Sequence, residues 1–197
     1  GPYSGALPND GGRVRLSNRA GAVLLEVTYA NQMPWPVAAD GAGHSLQLAR
    51  PDYGERAVEA WAASAEVGGS PGRADPIITD PLDAVVINEF LARPDPPQMD
   101  FIELFNRGDQ TVDLSGCGLS DRADNVKFTI PDGTLLGPRN RCVFFETDLG
   151  FSLSRQGEAI FLVRADGARV IDAVRFGAQR QGISSGRWPD GAPRIRE

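Results

Sequence analysis

The stretch VVINEFLARPDPPQMDFIELFNRGDQTVDLSGCGLSD, residues 85–121, decides the fold of this chain. It contains three short apolar runs, at residues 85–90, 101–105 and 111–114, separated by a proline-rich segment and by the turn sequence NRGD. Apolar residues do not recur at spacings of three and four over the length of a helix. Short apolar runs bounded by Pro, Gly, Asn and Asp are typical of β-strands, so the stretch predicts an antiparallel all-β domain.

The same pattern continues toward residue 191. Short runs at 127–130 and 134–136 are followed by RCVFFE at 141–146, which we interpret as a buried strand. Runs at 159–163 and 170–176 flank an Ala-Asp-Gly turn and predict a hairpin. Together these runs predict a β-sandwich of immunoglobulin size, after which residues 192–197 are expected to lack a closing strand.

This half of the chain also resembles a known family. The segments INEF, DFIELFN, VDLSGCGLSD, FTIPDGTLL, FSLSRQGEAIFL and SSGRWPDG occur in the order found in the lamin tail domain, over residues 83–191. The resemblance implies an immunoglobulin-like β-sandwich. Many bacterial members belong to secreted or surface proteins, so it also implies an extracellular or cell-surface location. Cys117 departs from the pattern, because many relatives carry an aromatic residue there.

A partial copy of the pattern precedes this domain. GRVRLSNRAGAVLLEVTY at 12–29 parallels EAIFLVRADGARVIDAVRF at 158–176, since each has a strand, a turn containing glycine and a strand ending in an aromatic residue. The segments PWPVAADGAGHSLQL, AWAAS and GGSPG resemble the closing part of bacterial lamin tail domains. We therefore expect residues 1–76 to be the C-terminal half of such a domain, 77–82 a linker, and 83–197 a complete domain.

Half of a sandwich leaves one apolar face uncovered. We expect the second domain's surface, or strands of a neighbouring chain in a homodimer or strand swap through residues 1–76, to complete the first unit. Within it, residues 53–65 are expected to form a loop and a strand around a buried Trp61, although their composition would also suit a helix. The abrupt start at Gly1 suggests a piece of a longer protein, whose signal segment is not in this chain.

Charge and composition narrow the function classes. The net charge is −6, Lys127 is the only lysine, and no apolar run approaches the roughly 20 residues needed to span a bilayer. An acidic chain argues against nucleic acid, which needs a concentrated basic face. Binding of an anionic polymer remains an alternative, through the arginines of the C-terminal part: Arg155, Arg164, Arg169, Arg175, Arg180 and Arg187. Of these, Arg169, Arg175 and Arg187 are candidates for a binding surface together with Trp188.

Cys117 and Cys142 both lie in apolar, strand-like surroundings, and neither has metal-ligand spacing to another Cys or to His. Two readings are open. They are either small buried core residues or a disulfide between neighbouring strands, which would suit a secreted protein.

Paired carboxylates offer an enzymatic alternative. Glu89 and Glu103 lie in strands that could be adjacent, and two facing carboxylates can hydrolyse glycosides. The competing interpretation is that both are ordinary polar residues of alternating strands, with no cleft implied, and we favour it.

Residues 113–124 contain several carboxylates, which are the ligands calcium prefers, so Asp113, Asp121 and Asp124 are weak calcium candidates. No calcium-loop spacing is present, and Asp is an ordinary turn residue. The single histidine, His44, could be drawn into a triad with Ser45 and Asp40, but adjacent strand residues point to opposite faces. Arg107-Gly108-Asp109 spells an adhesion tripeptide and is better explained as a turn.

Aromatic residues outside the strands complete the survey. Trp35, Trp61 and Trp188 are expected to plug the ends of the sandwich, because aromatic area is usually buried. The resemblance thus implies a non-enzymatic interaction or adhesion module of a modular bacterial secreted or surface protein, which binds protein or another extracellular macromolecule and has no cofactor. The route we expect is addition of a partner strand to a sheet edge, with 127–130 and the 159–176 hairpin as candidate edges.

Overall fold

A computed structural model of the protein describes residues 5–76 and 80–196. It confirms the all-β class, with a single turn of α-helix, α1, at Glu146–Leu149. Short 3-10 turns lie at Val37–Ala39, Pro51–Tyr53, Val58–Ala60 and Pro81–Ala84. The strands are β1 (Gly11–Ser17), β2 (Val23–Ala30), β3 (Leu46–Leu48), β4 (Trp61–Ala63), β5 (Val85–Leu91), β6 (Phe101–Asn106), β7 (Val112–Asp113), β8 (Gly118–Ser120), β9 (Phe128–Thr129), β10 (Leu135–Leu136), β11 (Arg141–Phe145), β12 (Glu158–Val163), β13 (Val170–Phe176), β14 (Ser185–Arg187) and β15 (Ile195–Arg196).

Two sheets form the second unit. One has the order β11-β6-β5-β14-β15 and the other β13-β12-β8-β9, while β7 and β10 pair separately. Alternate residues of each sheet meet in one core, where Phe90 and Ile102 of the first sheet and Ile160 and Leu162 of the second are fully buried. The expected lack of a closing strand is wrong, because β15 pairs with β14 and completes the five-stranded sheet.

The first unit holds two hairpin-like pairs, β1-β2 and β3-β4. The β1-β2 hairpin repeats the β12-β13 hairpin in detail. Val14 pairs with Val27 as Ile160 pairs with Val174, and the register shifts directly after Leu16 just as it shifts after Leu162. The similarity seen in the sequence is therefore also a similarity of strand register. The linker expected at 77–82 lies partly outside the described residues, since 77–79 are not among them.

The first unit packs against the outer face of the β12-β13 hairpin. Val37 and Ala42 join Phe161 and Val163 in a small buried cluster, separate from the main core. A backbone hydrogen bond also joins the two units, because the Val67 N–H donates to the Ala168 carbonyl at 3.0 Å.

His44 bridges the two units rather than serving a triad. Its Nδ1–H donates to the Ser64 carbonyl at 2.8 Å, and its Nε2 accepts from the Val170 N–H at 3.0 Å. Because a carbonyl can only accept and an N–H can only donate, these partners require the neutral Nδ1–H tautomer. The triad drawn with Ser45 and Asp40 is not formed: both ring nitrogens of this buried residue are already occupied.

Residues 53–65 form turns and the strand β4 rather than an α-helix, as expected. Two expectations about tryptophan are wrong. Trp61 is half-buried rather than buried, with its ring centroid 6.4 Å from that of Trp35. Trp188 does not fill an end of the sandwich, since 72% of it is exposed.

Cys117 and Cys142 are free thiols, so the disulfide between neighbouring strands is not formed. Cys117 directly precedes β8 in the four-stranded sheet, whereas Cys142 belongs to β11 in the other sheet. Packed sheets lie about 10 Å apart, and a disulfide needs Cα atoms within roughly 7 Å. The other reading holds, because both side chains pack in or against the main core.

Replacing His44 with alanine should detach the first unit locally. The Val170 N–H would lose its acceptor, and a buried unpaired donor costs about 2 kcal/mol. Amide hydrogen exchange at Val170 should therefore become roughly 30-fold faster. Glu59→Ala, at an exposed position of the same unit, is the matched control and should leave that exchange rate unchanged. Unaltered protection in the His44 variant would contradict the bridging role.

The thiols should react slowly while the protein is folded. Burial raises the pKa of Cys142 to about 11 and also raises the pKa of Cys117, so both remain protonated at pH 8. Because the thiolate is the reactive form, alkylation by iodoacetamide should be slow at pH 8, accelerate as the pH approaches 11, and become fast in urea. Mass spectrometry should then count two labelled cysteines, and fewer than two without reductant would indicate a disulfide.

Candidate functional site

The strand β11 forms one edge of the five-stranded sheet. It pairs with β6 on one side and, within residues 5–76 and 80–196, with no strand on the other. The Asn106 N–H donates to the Asn140 carbonyl at 3.0 Å, and the Glu146 N–H donates to the Asp100 carbonyl at 2.9 Å. Hydrogen bonding alternates along an antiparallel pair, so the backbone groups of Arg141, Val143 and Phe145 point away from β6.

One end of this open edge is closed by the α1 turn that follows. The Phe145 N–H donates to Asp148 Oδ2 at 3.0 Å, and the chain then turns into α1. The outward N–H groups of Arg141 and Val143 are the ones left for a partner. The open edge is therefore short and ends at a defined residue.

Apolar side chains lie along one face of the same edge. Val143 and Phe145 are 40% and 42% exposed, and the ring of Phe145 meets Phe101 of β6 edge-on at a centroid distance of 6.2 Å. Alternate residues Cys142 and Phe144 point the other way, toward the core. We call Phe101, Val143 and Phe145 the apolar strip. It lies beside backbone groups that can bind another strand.

The strip borders a polar network built on a β-bulge. The pairing of β5 with β6 shifts at Asn88, which places Glu89 opposite Glu103. The Asn88 side-chain amide donates to Glu103 Oε1 at 2.8 Å and to Asp190 Oδ1 at 3.0 Å, and its oxygen accepts from the Gly191 N–H at 2.9 Å. This buried amide thus holds the 188–191 turn against the sheet.

The two glutamates are cross-strand neighbours, as the hydrolase alternative required, and the contacts of Glu103 are structural. Glu103 is occupied by Asn88 and lies 3.6 Å from the guanidinium of Arg141. That guanidinium also pairs with Asp190 and lies over the Phe105 ring, 5.1 Å from its centroid. Glu103 therefore anchors a structural network at the sheet surface.

Each of the three calcium candidates is bound to a different partner side chain. Asp113 accepts from the Ser115 hydroxyl and N–H, and these bonds lower its pKa. Asp121 pairs with Lys127, whereas Asp124 pairs with Arg122, which lowers the pKa of Asp124. No cluster of three or more His, Cys, Asp or Glu side chains suited to a metal occurs in the described part of the chain.

The arginines proposed for a binding surface have structural partners instead. Arg169 pairs with Asp83, and Arg175 pairs with Asp40 of the first unit at 2.6 Å. Arg164, from the wider set proposed for an anionic polymer, is likewise paired with Asp166.

Arg187 is the most deeply buried of these arginines. Its Nε donates to the Ile87 carbonyl at 2.9 Å, and its Nη2 reaches both carboxylate oxygens of Asp172. Asp172 in turn accepts from the Ile87 N–H at 2.7 Å. The guanidinium fork therefore ties β14 and β5 of one sheet to β13 of the other.

The adhesion tripeptide belongs to a turn. The Gly108 N–H donates to Asn106 Oδ1 at 2.9 Å, and the guanidinium of Arg107 donates to the Asp83 carbonyl at 2.9 Å. Asn106 is fully buried, and its amide donates to three carbonyls, those of Gln110, Leu136 and Gly137. These contacts agree with the turn interpretation.

The candidate edges need correction as well. β9 is an edge but only two residues long, β12 lies inside its sheet, and β13 is an edge whose Val170 amide is occupied by His44. Sequence reasoning missed β11 because it interpreted RCVFFE as buried. Four of its five strand residues are apolar, so the alternation of exposed and buried positions leaves almost no pattern.

Comparison with known proteins gives one finding. The family model described as Lamin Tail Domain matches residues 79–178, just over half of the chain. No curated protein matches the chain. Among the residues that the structure describes, no helix is long and apolar enough to cross a membrane.

The Asn88 network predicts a difference between two substitutions. Asn88→Ala removes three hydrogen bonds and should lower the free energy of unfolding by about 2 kcal/mol. Asn88→Asp keeps the shape but places a third carboxylate against Glu103 and Asp190, and should cost about 3 kcal/mol at pH 7. Urea denaturation measures both. The same changes at exposed Asn125 are the controls, and equal losses for the two Asn88 variants would contradict the network.

Proposed function

Because the chain belongs to the lamin tail domain family, we propose that it is a non-enzymatic interaction module of a modular bacterial secreted or surface protein. The module binds protein, or another macromolecule, outside the cell. For its protein partners we propose strand addition at the open edge of β11.

The single observation that carries this proposal is the outward-facing backbone of β11. Arg141 and Val143 present N–H and C=O groups that no described strand uses. An extended peptide placed antiparallel to β11 would pair with these groups and continue the five-stranded sheet. Unpaired edges attract other strands unless they are shielded, and at the Phe145 end the Asp148 carboxylate provides such a shield.

The apolar strip supplies selectivity. Cross-strand neighbours on one face of a sheet lie about 5 Å apart, so alternate residues of an added peptide would contact Val143 and Phe145. Arg141 is held by Glu103 and Asp190, which fixes the position of its guanidinium beside the edge. These contacts favour a partner strand with apolar residues at alternate positions.

The wider context is part of the same proposal. The resemblance to bacterial lamin tail domains supports the bacterial origin and the extracellular or surface location. The shared register of the two hairpins supports the division into a C-terminal half-domain at 1–76 and a complete domain at 83–197. The alternatives, hydrolysis by Glu89 and Glu103 or anionic-polymer binding by the arginines, lose support because Glu103, Arg169 and Arg175 are engaged in structural contacts.

Two single proline substitutions test whether the β11 edge is the binding site. Val143→Pro removes an outward N–H that β6 does not use, so the fold should survive while strand addition is blocked. Thr129→Pro is the matched control, because Thr129 also lies in an edge strand and its N–H also points away from its partner strand, β8. Peptides selected from a random displayed library on the unmodified protein should bind Val143→Pro at least tenfold more weakly and Thr129→Pro equally well.

Two outcomes would contradict the proposal. Selected peptides that bind the Val143→Pro variant as well as the unmodified protein would exclude β11 as the site. Turnover of generic ester, phosphoester or glycoside substrates that is lost in Glu103→Gln would show an enzyme instead. Circular dichroism of each variant verifies that the fold is retained.

A further inference from the structure

A second open surface lies in the first unit. The β1-β2 hairpin faces β3 and β4 across an apolar cavity of about 520 Å³. Its lining includes residues from both sides of the unit: Val14, Leu25, Val27, Trp35, Leu46 and Trp61. This space lies on the face of the hairpin that corresponds to the core-facing side of β12-β13, and it is not part of the β11 edge.

The edge of β1 beside this cavity is unpaired. β1 bonds to β2 on one side and, within the described ranges 5–76 and 80–196, to no strand on the other. Leu16 stands near the end of this strand and is 57% exposed. Leu16 lies on the same face of β1 as Val14, which lines the cavity, so the exposed leucine and the free edge mark a place where a further strand fits.

The second unit shows what occupies the same place in a complete domain. There β12 pairs with β8, and Leu162 lies opposite Leu119. Both leucines are fully buried. Leu16 matches Leu162, because each is the last residue before the register shift of its hairpin. A strand equivalent to β8 would therefore lie antiparallel to β1 and bury Leu16.

We propose that β1 and the adjoining cavity bind an extended strand that lies outside residues 5–76 and 80–196, antiparallel to β1, in which small residues flank a leucine placed opposite Leu16. The template is Gly118-Leu119-Ser120. A second folded copy of this chain cannot supply that strand without opening its own sheet, because its β8 is already held by β12 and β9.

Charge favours an acidic partner segment. The hairpin carries the exposed residues Arg13, Arg15 and Arg19 against a single acidic residue, Glu26. The segment that contains β8 has the opposite character, with Asp113 and Asp121 on either side of the strand. Opposite charges would steer such a strand toward the hairpin.

A synthetic peptide provides the probe. It carries the sequence of residues 112–121 with serine in place of Cys117, and a second peptide has Leu119→Asn in addition. The first peptide should slow amide hydrogen exchange at residues 11–17 and change the tryptophan fluorescence, because Trp35 and Trp61 line the cavity. The second peptide should bind at least tenfold more weakly.

Two variants of the chain localise the site. Leu16→Asn should weaken binding of the first peptide at least tenfold. Thr28→Asn, at an exposed position on the opposite face of the same hairpin, should leave binding unchanged. Neither substitution removes a buried side chain, so both variants should fold. Val143→Pro should also bind normally, which separates this site from the edge in the proposed function.

Absence of protection at residues 11–17, or equal binding of the two peptides, would overturn the proposal. A third result would overturn the choice of partner. If the chain alone forms a dimer in sedimentation equilibrium and Leu16→Asn abolishes it, a second copy covers this surface.

Discussion

Burial of both faces of the β12-β13 hairpin is the constraint on which the rest of the structure depends. Ile160 and Leu162 on the inner face enter the main core, whereas Phe161 and Val163 on the outer face are covered by Val37 and Ala42 of the first unit. A sheet in a sandwich normally has one face exposed to solvent. Here the second buried face explains why a first unit built of two separate strand pairs is held in place, and why its contacts with the second unit concentrate on β13.

Arginine serves as a structural residue throughout this protein. The fork of Arg187 reaches Asp172 and the backbone of β5, while Arg175 and Asp40 join the two units. A buried guanidinium requires full pairing, because an uncompensated charge would be costly. The arginine-rich C-terminal part therefore carries bonds between its own layers. Counting charges along the sequence suggested an anionic ligand because a count does not show which aspartate pairs with which arginine, and Arg175 and Asp40 lie in different units.

Much of the fold was predictable, and the reasons are local. Hairpins such as β12-β13 and β1-β2 are encoded by strand residues and a glycine turn within about 20 residues. The candidate functional surface was harder to predict from the sequence. The exposure of Val143 depends on which sheet edge β11 occupies, and the bond between His44 and Val170 spans 126 positions. Trp188 and the two cysteines show the same limit, because side-chain placement follows from strand order that periodicity does not reveal.

The short open edge of β11 has a consequence for how such a module would be used. Because the Phe145 amide is occupied by Asp148, an incoming strand can accept hydrogen bonds only from the N–H groups of Arg141 and Val143. A complex formed through one such edge would therefore dissociate quickly. Tandem copies on one polypeptide would raise the effective concentration of each site, and their combined avidity could exceed the single affinity by a factor of about 100 or more. Valency, rather than a deep pocket, would then set the strength of attachment.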